Sequence, residues 1–242
     1  MSLSFIVVCE APADRATACR LADRVFCEAV GWLEEEYLPS NRQWRGLAEG
    51  EAQLLWRDVA NLAKRSGLRV HGHFNGEAAE PDAQAARRAL NLIKLKGGNP
   101  SGVLLIRDAD DEPERLKGLN QARMNSPIKI PIALGVAFPK REAWVIAGFE
   151  PSQEEQSRLD HLRKELGFDP THQAHKLTAT GKTDKKSAKR VHCELLGDDP
   201  TREAACLETE FATLRIRGEE SGLAAFLDEV QIRLVPLFIT AT

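Results

Sequence analysis

FIVVCE (residues 5–10) and VLLIRDAD (residues 103–110) are two hydrophobic runs that each end in acidic residues. Unbroken aliphatic and β-branched residues are typical of strands buried on both faces of a parallel sheet. Ligands of open α/β sheets bind outside the carboxyl ends of such strands. The acids that follow the two runs are Glu10 and Asp14, and Asp108, Asp110 and Asp111. We expect them to converge there around a hard divalent cation, since their mutual repulsion needs a positive charge and Mg²⁺ prefers oxygen ligands.

The spacing of apolar residues predicts strands alternating with helices up to about residue 149. Such alternation is typical of a mainly parallel sheet with helices on its faces. The predicted strands are 5–9, 68–74, 102–107 and 130–137. The first predicted helix begins at Pro12, and a connecting segment over 31–48 follows it. Further helices are predicted over 50–65, 83–96, 113–123 and 140–148. We therefore predict an α/β core over residues 1–150.

The pattern changes after residue 150. Leucine and phenylalanine spacing predicts four helices in the tail, one of them over 183–196, and a single short strand over 234–239. We interpret residues 151–242 as a helical C-terminal extension packed on the core.

Composition excludes several classes of protein. The 242 residues are 43% hydrophobic and 29% charged, as in soluble globular proteins. The net charge is −3, so binding of nucleic acid would depend on a local basic patch. The five cysteines form no CxxC pair, which favours a reducing, cytoplasmic location over a disulfide framework or a zinc site. No signal-peptide pattern and no apolar run of ~18 residues is present, so we expect no association with a membrane.

Asp108 and Asp110 lie two residues apart and would point the same way if that stretch stays extended. Both carboxylates would then reach one ion. Because Mg²⁺ usually takes only one or two protein carboxylates, Glu10 would remain available as a general acid or base for phosphoryl transfer.

A strand ending in Glu-x-x-x-Asp, followed later by a strand ending in Asp-x-Asp, resembles the TOPRIM (topoisomerase–primase) superfamily. The superfamily includes OLD-family nucleases and small bacterial TOPRIM-like proteins, which often carry a Glu before Trp and aliphatic residues, as in REAWVIA (residues 141–147). The resemblance covers about 5–150 and implies a Rossmann-like core with a Mg²⁺ (or Mn²⁺) site. It implies these roles: Glu10 as catalytic acid/base and metal-site member, Asp14 as a supporting acid, Asp108 and Asp110 as metal ligands, and Asp111 and Glu142 as further acids.

The function implied by this resemblance is metal-dependent phosphodiester hydrolysis of nucleic acid, in genome maintenance or phage defence. DNA, RNA and nucleotides all remain open as substrates. OLD-family nucleases work with an ATPase domain, so the resemblance also makes a separate ATPase a candidate partner.

The segment over residues 175–192 is basic. Four of its lysines follow helical spacing, and its cations are Lys176, Lys182, Lys185, Lys186, Lys189 and Arg190. These residues are candidates for contacts with the phosphate backbone. A solvated helix face is the alternative. The sequence Gly181-Lys182-Thr183 ends like a P-loop, but Lys176 stands where the first glycine belongs, so we reject ATP binding there.

Three alternatives compete with a metal-dependent nuclease. Acidic residues are also common in loops and in first helical turns, where the helix dipole favours them. A response-regulator receiver also has acids at two strand ends, but such a module is about half as long and has paired acids after its first strand. A non-catalytic scaffold or regulatory subunit is the third, and Ala11, where TOPRIM proteins usually have glycine, fits it.

Overall fold

The computed structural model describes residues 2–48, 50–74, 76–110, 112–181, 183–197 and 199–240. Up to residue 108 the elements are β1 (Leu3–Cys9), α1 (Pro12–Ala29), a 3₁₀ turn (Glu35–Tyr37), α2 (Leu38–Asn41), β2 (Arg42–Arg45), β3 (Leu54–Leu55), α3 (Trp56–Arg65), β4 (His73–Phe74), β5 (Glu77–Ala78), α4 (Ala83–Lys96) and β6 (Gly102–Asp108). They continue with α5 (Arg115–Met124), β7 (Ile132–Ala137), α6 (Arg141–Ala147), α7 (Gln156–Leu166), a 3₁₀ turn (Ala174–Lys176), α8 (Ala188–Leu196), α9 (Pro200–Leu207), α10 (Phe211–Gly218), α11 (Leu223–Arg233) and α12 (Val235–Thr240).

The predicted α/β class is confirmed. A mainly parallel five-stranded sheet runs in the order β2-β1-β6-β7, with β3 also paired to β1. β1 is parallel to β2, β3 and β6, and Val8 lies opposite Leu105 in the pairing with β6. Phe5, Val8, Leu105 and most of their strand neighbours are fully buried, which is why the two runs carry no polar face.

Two short strands of this sheet were not predicted. β2 lies inside the predicted connecting segment, and β3 lies inside the predicted helix 50–65, which begins only at Trp56. β2 is mostly polar in sequence, and its extended conformation comes from its pairing with β1.

The predicted strand over 68–74 is wrong for most of its length. Only His73 and Phe74 are extended, and they pair antiparallel with Glu77–Ala78 in a separate two-stranded sheet. Phe74 is the only fully buried residue of this stretch, so a longer strand would have no apolar face to bury.

The chain folds into two compact units. Unit 1 comprises residues 1–107, 114–135 and 226–242, and unit 2 comprises residues 108–113 and 136–225. These units differ from the predicted division at residue 150.

Unit 1 contains an aromatic cluster on one face of β1. Phe5 stacks on Phe26 at 5.8 Å between ring centroids and contacts Trp44 at 4.9 Å. Phe238 of α12 lies 4.6 Å from Phe26. The predicted strand over 234–239 is therefore wrong, because this stretch is a helix whose aromatic residue completes the core of unit 1.

Unit 2 is organised around α6. Every residue of this helix except Glu142 is buried, and α8, α9 and α10 all contact it. A helix that is apolar on all sides needs such a complete cover. Trp144 is fixed there by a hydrogen bond of 2.8 Å from its Nε1 to the carbonyl of Ser221.

Candidate active site

The turn after β1 is held by Asp14. Its Oδ2 accepts hydrogen bonds from the backbone N–H groups of Glu10 (3.1 Å) and Ala11 (2.7 Å). Pro12 begins α1, where a missing N–H costs nothing. Asp14 is buried, and its carboxylate satisfies N–H groups at the helix start, which have no partner within the helix. The predicted supporting acid thus positions Glu10 by fixing the backbone of this turn.

Glu10 belongs to a group of alternating charges in unit 1, which we call the arginine cluster (Glu10, Asp82, Arg107 and Arg115). Glu10 Oε1 lies 3.3 Å from Arg107 Nη1 and 3.7 Å from Arg115 Nη1. Asp82 accepts two hydrogen bonds from Arg107, at 2.8 and 3.1 Å. Each carboxylate therefore contacts both guanidinium groups, since Arg115 Nε also lies 3.3 Å from Asp82.

A cavity of about 390 Å³ opens beside this cluster. We call it the Glu10 pocket, and its lining residues are Glu10, Trp56, Arg57, Ala85 and Arg107. The indole of Trp56 lies under the Arg107 guanidinium at 5.4 Å. Its Nε1 donates a hydrogen bond of 2.7 Å to the carbonyl of Ile106, so the ring is fixed from its other end.

The second acidic stretch lies in unit 2 and is not fully extended. β6 ends at Asp108, and Asp110 has φ = 49°, in the left-handed region that Asp adopts more readily than most residues. The prediction that the carboxylates of Asp108 and Asp110 point the same way required an extended backbone. The chain turns at Asp110 instead. Asp108 Oδ1 accepts a hydrogen bond of 2.8 Å from the backbone N–H of Arg141, at the start of α6.

Asp110 forms an ion pair with Lys140, and these two residues together with Asp108 and Glu142 form what we call the aspartate cluster. Burial alone would lower the pKa of Lys140, but the bond with Asp110 and the charges of Asp108 and Glu142 raise it above its usual value. Three carboxylates thus act on one ammonium group. Glu142 Oε2 is buried and has no hydrogen-bond partner among the described residues.

A second network in unit 2 fixes the start of α6. Arg141 pairs with Glu203, whose other oxygen lies 3.1 Å from His192 Nε2. The hydrogen bond with His192 and the charge of Arg141 lower the pKa of Glu203 to about 2, although burial opposes the shift. Arg141 is the residue whose N–H binds Asp108, so this network positions the backbone next to the aspartate cluster.

The predicted metal site combined residues that the structure assigns to different units. Glu10 belongs to unit 1, while Asp108, Asp110 and Glu142 belong to unit 2. Within the described ranges, no group of three or more His, Cys, Asp or Glu residues is arranged to hold a metal ion. Asp111 lies outside the described residues. The joint site remains a prediction.

The basic segment does not form the predicted helical face. α8 begins at Ala188, with Ser187 as its N-cap, so Lys185 and Lys186 precede the helix. Lys182 lies outside the described residues. Lys176 belongs to a 3₁₀ turn, and Lys189 is an exposed residue of α8.

Arg190 is the member of the basic segment whose charge is balanced most strongly. Its guanidinium pairs with Glu165 and with Glu194, and hydrogen bonds to these carboxylates raise its pKa. The ammonium groups of Lys176 and Lys186 lie 5.7 and 5.9 Å from the centre of the Phe168 ring. The charge of Arg190 is therefore already used by the carboxylates of Glu165 and Glu194.

Sequence reasoning identified these acids and missed the cations that balance them, Arg107, Arg115 and Lys140, as well as the further acid Asp82. Two local patterns pointed to them. Arg107 interrupts an apolar strand directly before Asp108, and Lys140 lies two residues before Glu142. A charged residue at the end of a buried strand needs a partner, so such a position marks a local ion pair.

Comparison of the chain with protein-family models, with curated proteins and with solved structures finds no match in any of the three. Within the part of the chain that the structure describes, no helix is long and apolar enough to cross a membrane.

Proposed function

We propose that this protein catalyses Mg²⁺- or Mn²⁺-dependent phosphoryl transfer on nucleic acid, as a TOPRIM-type nuclease that hydrolyses phosphodiesters. The observation that carries the proposal is the geometry of the aspartate cluster: Asp110 pairs with Lys140, Asp108 accepts the backbone N–H of Arg141, and the buried Oε2 of neighbouring Glu142 has no hydrogen-bond partner among the described residues. The cluster lies at the end of a strand of a mainly parallel sheet, where such folds bind ligands.

The residues of the aspartate cluster have donor atoms of the kind that binds a hard cation, although no three of the described ones are arranged around a common point. All their donor atoms are carboxylate oxygens, the ligands that Mg²⁺ prefers. Glu142 Oε2 is buried without a hydrogen-bond partner among the described residues, as expected for an oxygen whose partner is an ion. To hold the metal, Asp108, Asp110 and Glu142 would have to converge on it, and the flexible side chain of Lys140 would have to leave Asp110.

The chain supplies the remaining chemical roles. Bound Mg²⁺ would polarise the phosphate and lower the pKa of a metal-bound water. Glu10 would accept the proton of the attacking water or donate one to the leaving oxygen. Lys176, Lys185, Lys186 and Lys189, with Lys182, would contact the phosphate backbone.

The cellular setting follows from the resemblance to the TOPRIM superfamily. We propose that the protein acts in the cytoplasm, in genome maintenance or phage defence. A separate ATPase is the partner that this setting favours. Both proposals rest on analogy with OLD-family nucleases.

A non-catalytic scaffold or regulatory subunit is the second candidate. The observation that favours it is that both acidic groups already have positive partners, Arg107 for Glu10 and Lys140 for Asp110. Acids that serve only to hold the fold together would be paired in this way.

Cleavage assays distinguish the two candidates. Labelled single- and double-stranded DNA and RNA are incubated with Mg²⁺ or Mn²⁺ and with wild type, Asp108→Ala, Glu10→Gln or a control variant. The control is Asp160→Asn, which removes an acid from the exposed surface of α7. If the protein is a nuclease, the cleavage rate should fall by about 100-fold or more in Asp108→Ala and Glu10→Gln and should change little in Asp160→Asn. Absence of cleavage by wild type, with no metal-induced stabilisation, would favour the scaffold.

A further inference from the structure

The Glu10 pocket has a fixed positive group on one wall. Asp82 binds the Arg107 guanidinium through two hydrogen bonds, and the Trp56 ring lies 5.4 Å from it. A guanidinium that is already held in place loses little conformational freedom when it binds a ligand. Arg107 is therefore prepared to donate further hydrogen bonds into the pocket.

Arg57 provides a second guanidinium on the same pocket. It lies in the first turn of α3, is exposed, and forms no ion pair with any residue that the structure describes. Its positive charge is therefore not used by the fold. Arginine in such a position is suited to planar, two-pronged binding of phosphate.

The charges around the pocket favour an anion. The arginine cluster contains two carboxylates and two guanidinium groups, and Arg57 adds one further positive charge. Ala85, in the first turn of the 14-residue helix α4, also lines the pocket, and the N-terminal end of a helix carries a partial positive charge. One negative charge in the pocket would balance this excess.

We infer that the Glu10 pocket binds the phosphate group of a nucleotide, either free or in a nucleic-acid strand, between Arg57 and Arg107. The phosphate would accept hydrogen bonds from Arg107 in competition with Glu10. Binding would thus weaken the contact of 3.3 Å between Glu10 Oε1 and Arg107 Nη1. The consequence for catalysis, that phosphate binding makes Glu10 available for proton transfer, rests on the proposed function.

The test is binding without metal, so that cleavage does not enter the measurement. Fluorescence anisotropy of a labelled, 5′-phosphorylated single strand is followed in EDTA, with AMP and adenosine as competitors. Arg57→Ala is compared with Arg65→Ala, which removes the same charge from an exposed position at the other end of α3. Arg57→Lys keeps the charge and loses the two-pronged geometry.

We expect Arg57→Ala to weaken binding of the strand or of AMP by about tenfold. The dependence of the binding constant on salt concentration should fall by the amount that corresponds to about one phosphate contact. Arg65→Ala should change affinity by less than about twofold, and Arg57→Lys should lie between the two alanine variants. Competition by AMP would show that a free nucleotide is sufficient for binding to the pocket. Binding of the strand without competition by AMP would identify nucleic acid as the ligand. Adenosine, which has no phosphate, should not compete.

Equal effects of Arg57→Ala and Arg65→Ala, or equal competition by adenosine and AMP, would overturn the inference. So would absence of binding by both phosphorylated probes. A protein that binds through Arg57 and cleaves nothing would contradict the proposed nuclease function while supporting the pocket. The two failures are therefore distinguishable.

Discussion

The arginine cluster of unit 1 and the aspartate cluster of unit 2 both place positive groups next to acidic side chains, but the two clusters differ in their ratio of carboxylates to cations. In unit 1, two guanidinium groups match two carboxylates, and Arg57 leaves a positive excess at the pocket. In unit 2, three carboxylates act on the ammonium of Lys140, and the guanidinium of Arg141 lies 3.9 Å from one of them, Glu142. The first arrangement favours an anion and the second a cation.

The chemistry of the positive groups strengthens this difference. Arginine presents a rigid fork that Asp82 binds at two points, whereas lysine is a point charge on a flexible stem. A guanidinium fixed in this way stays in place and receives a ligand. A lysine ammonium is more easily exchanged for a metal ion. Four substitutions test this contrast between the two clusters.

Gly118→Ala should disrupt the arginine cluster. A Cβ at Gly118 would lie 1.6 Å from the carbonyl oxygen of Pro81, so α4 and α5 could not keep their close approach around Asp82. We expect a loss of about 3 kcal/mol in the free energy of unfolding, measured in urea, together with loss of nucleotide binding. Gly31→Ala is the control, because nothing lies within 4 Å of the added atom. Equal stability of the two variants would contradict this role of the α4–α5 contact.

Lys140→Met should make the aspartate cluster more dependent on metal. Its carboxylates would lose their ammonium partner, at a cost of about 2 kcal/mol at neutral pH without metal. Mn²⁺ should then stabilise the variant more than wild type, because no lysine competes for the oxygens. Thermal unfolding across a Mn²⁺ titration measures both effects. A metal response no larger than that of wild type would argue against Lys140 as the competing cation.

Glu203→Gln should destabilise the protein in a pH-dependent way. The pKa of Glu203 is lowered to about 2 from an ordinary 4.5, so its contribution is present above about pH 4.5 and is lost as the pH falls towards 2. We expect a difference of roughly 1–2 kcal/mol at pH 7 that shrinks through this window. Urea unfolding from pH 7 to pH 3 measures it, with exposed Glu154→Gln as the control. A difference that is constant with pH would exclude the ion pair as its source.

Trp56→Phe should have the smallest effect. Phenylalanine keeps an aromatic ring beneath Arg107 but cannot donate to the carbonyl of Ile106, a hydrogen bond worth about 1 kcal/mol. We expect a drop of this size in the free energy of unfolding and a few-fold weaker nucleotide binding. Metal-induced stabilisation should stay the same, since the aspartate cluster is untouched. A lost metal response would mean that the two clusters are not independent.

The sequence predicts those parts of the fold whose patterns are local. β1, β6 and β7 each contain a run of apolar residues, and α4 was predicted with the bounds that the structure has, because its apolar spacing and its glycine turn mark both ends. Elements set by distant contacts were missed. Residues 234–239 have the composition of a strand, yet they form a helix because Phe238 packs against Phe5 and Phe26.

The same division holds for the candidate site. The acids could be predicted because they follow recognisable strands. Local patterns mark Arg107 and Lys140 as charges that need a partner, but which acid each one meets could not be predicted, because Glu10 meets Arg107 and Arg115 only when β1, β6 and α5 come together in unit 1. The charge balance that distinguishes the two clusters is therefore a property of the fold, even though each acid is visible in the sequence.

The most direct test of the proposed metal site is a Mn²⁺ titration followed by electron paramagnetic resonance, with wild type, Asp108→Ala and Asp160→Asn. Free Mn²⁺ gives a strong signal that is lost when the ion is bound, so the titration measures affinity without any substrate. We predict that Asp108→Ala weakens Mn²⁺ binding by about tenfold or more, while Asp160→Asn binds as wild type does. Equal binding by wild type and Asp108→Ala would contradict it.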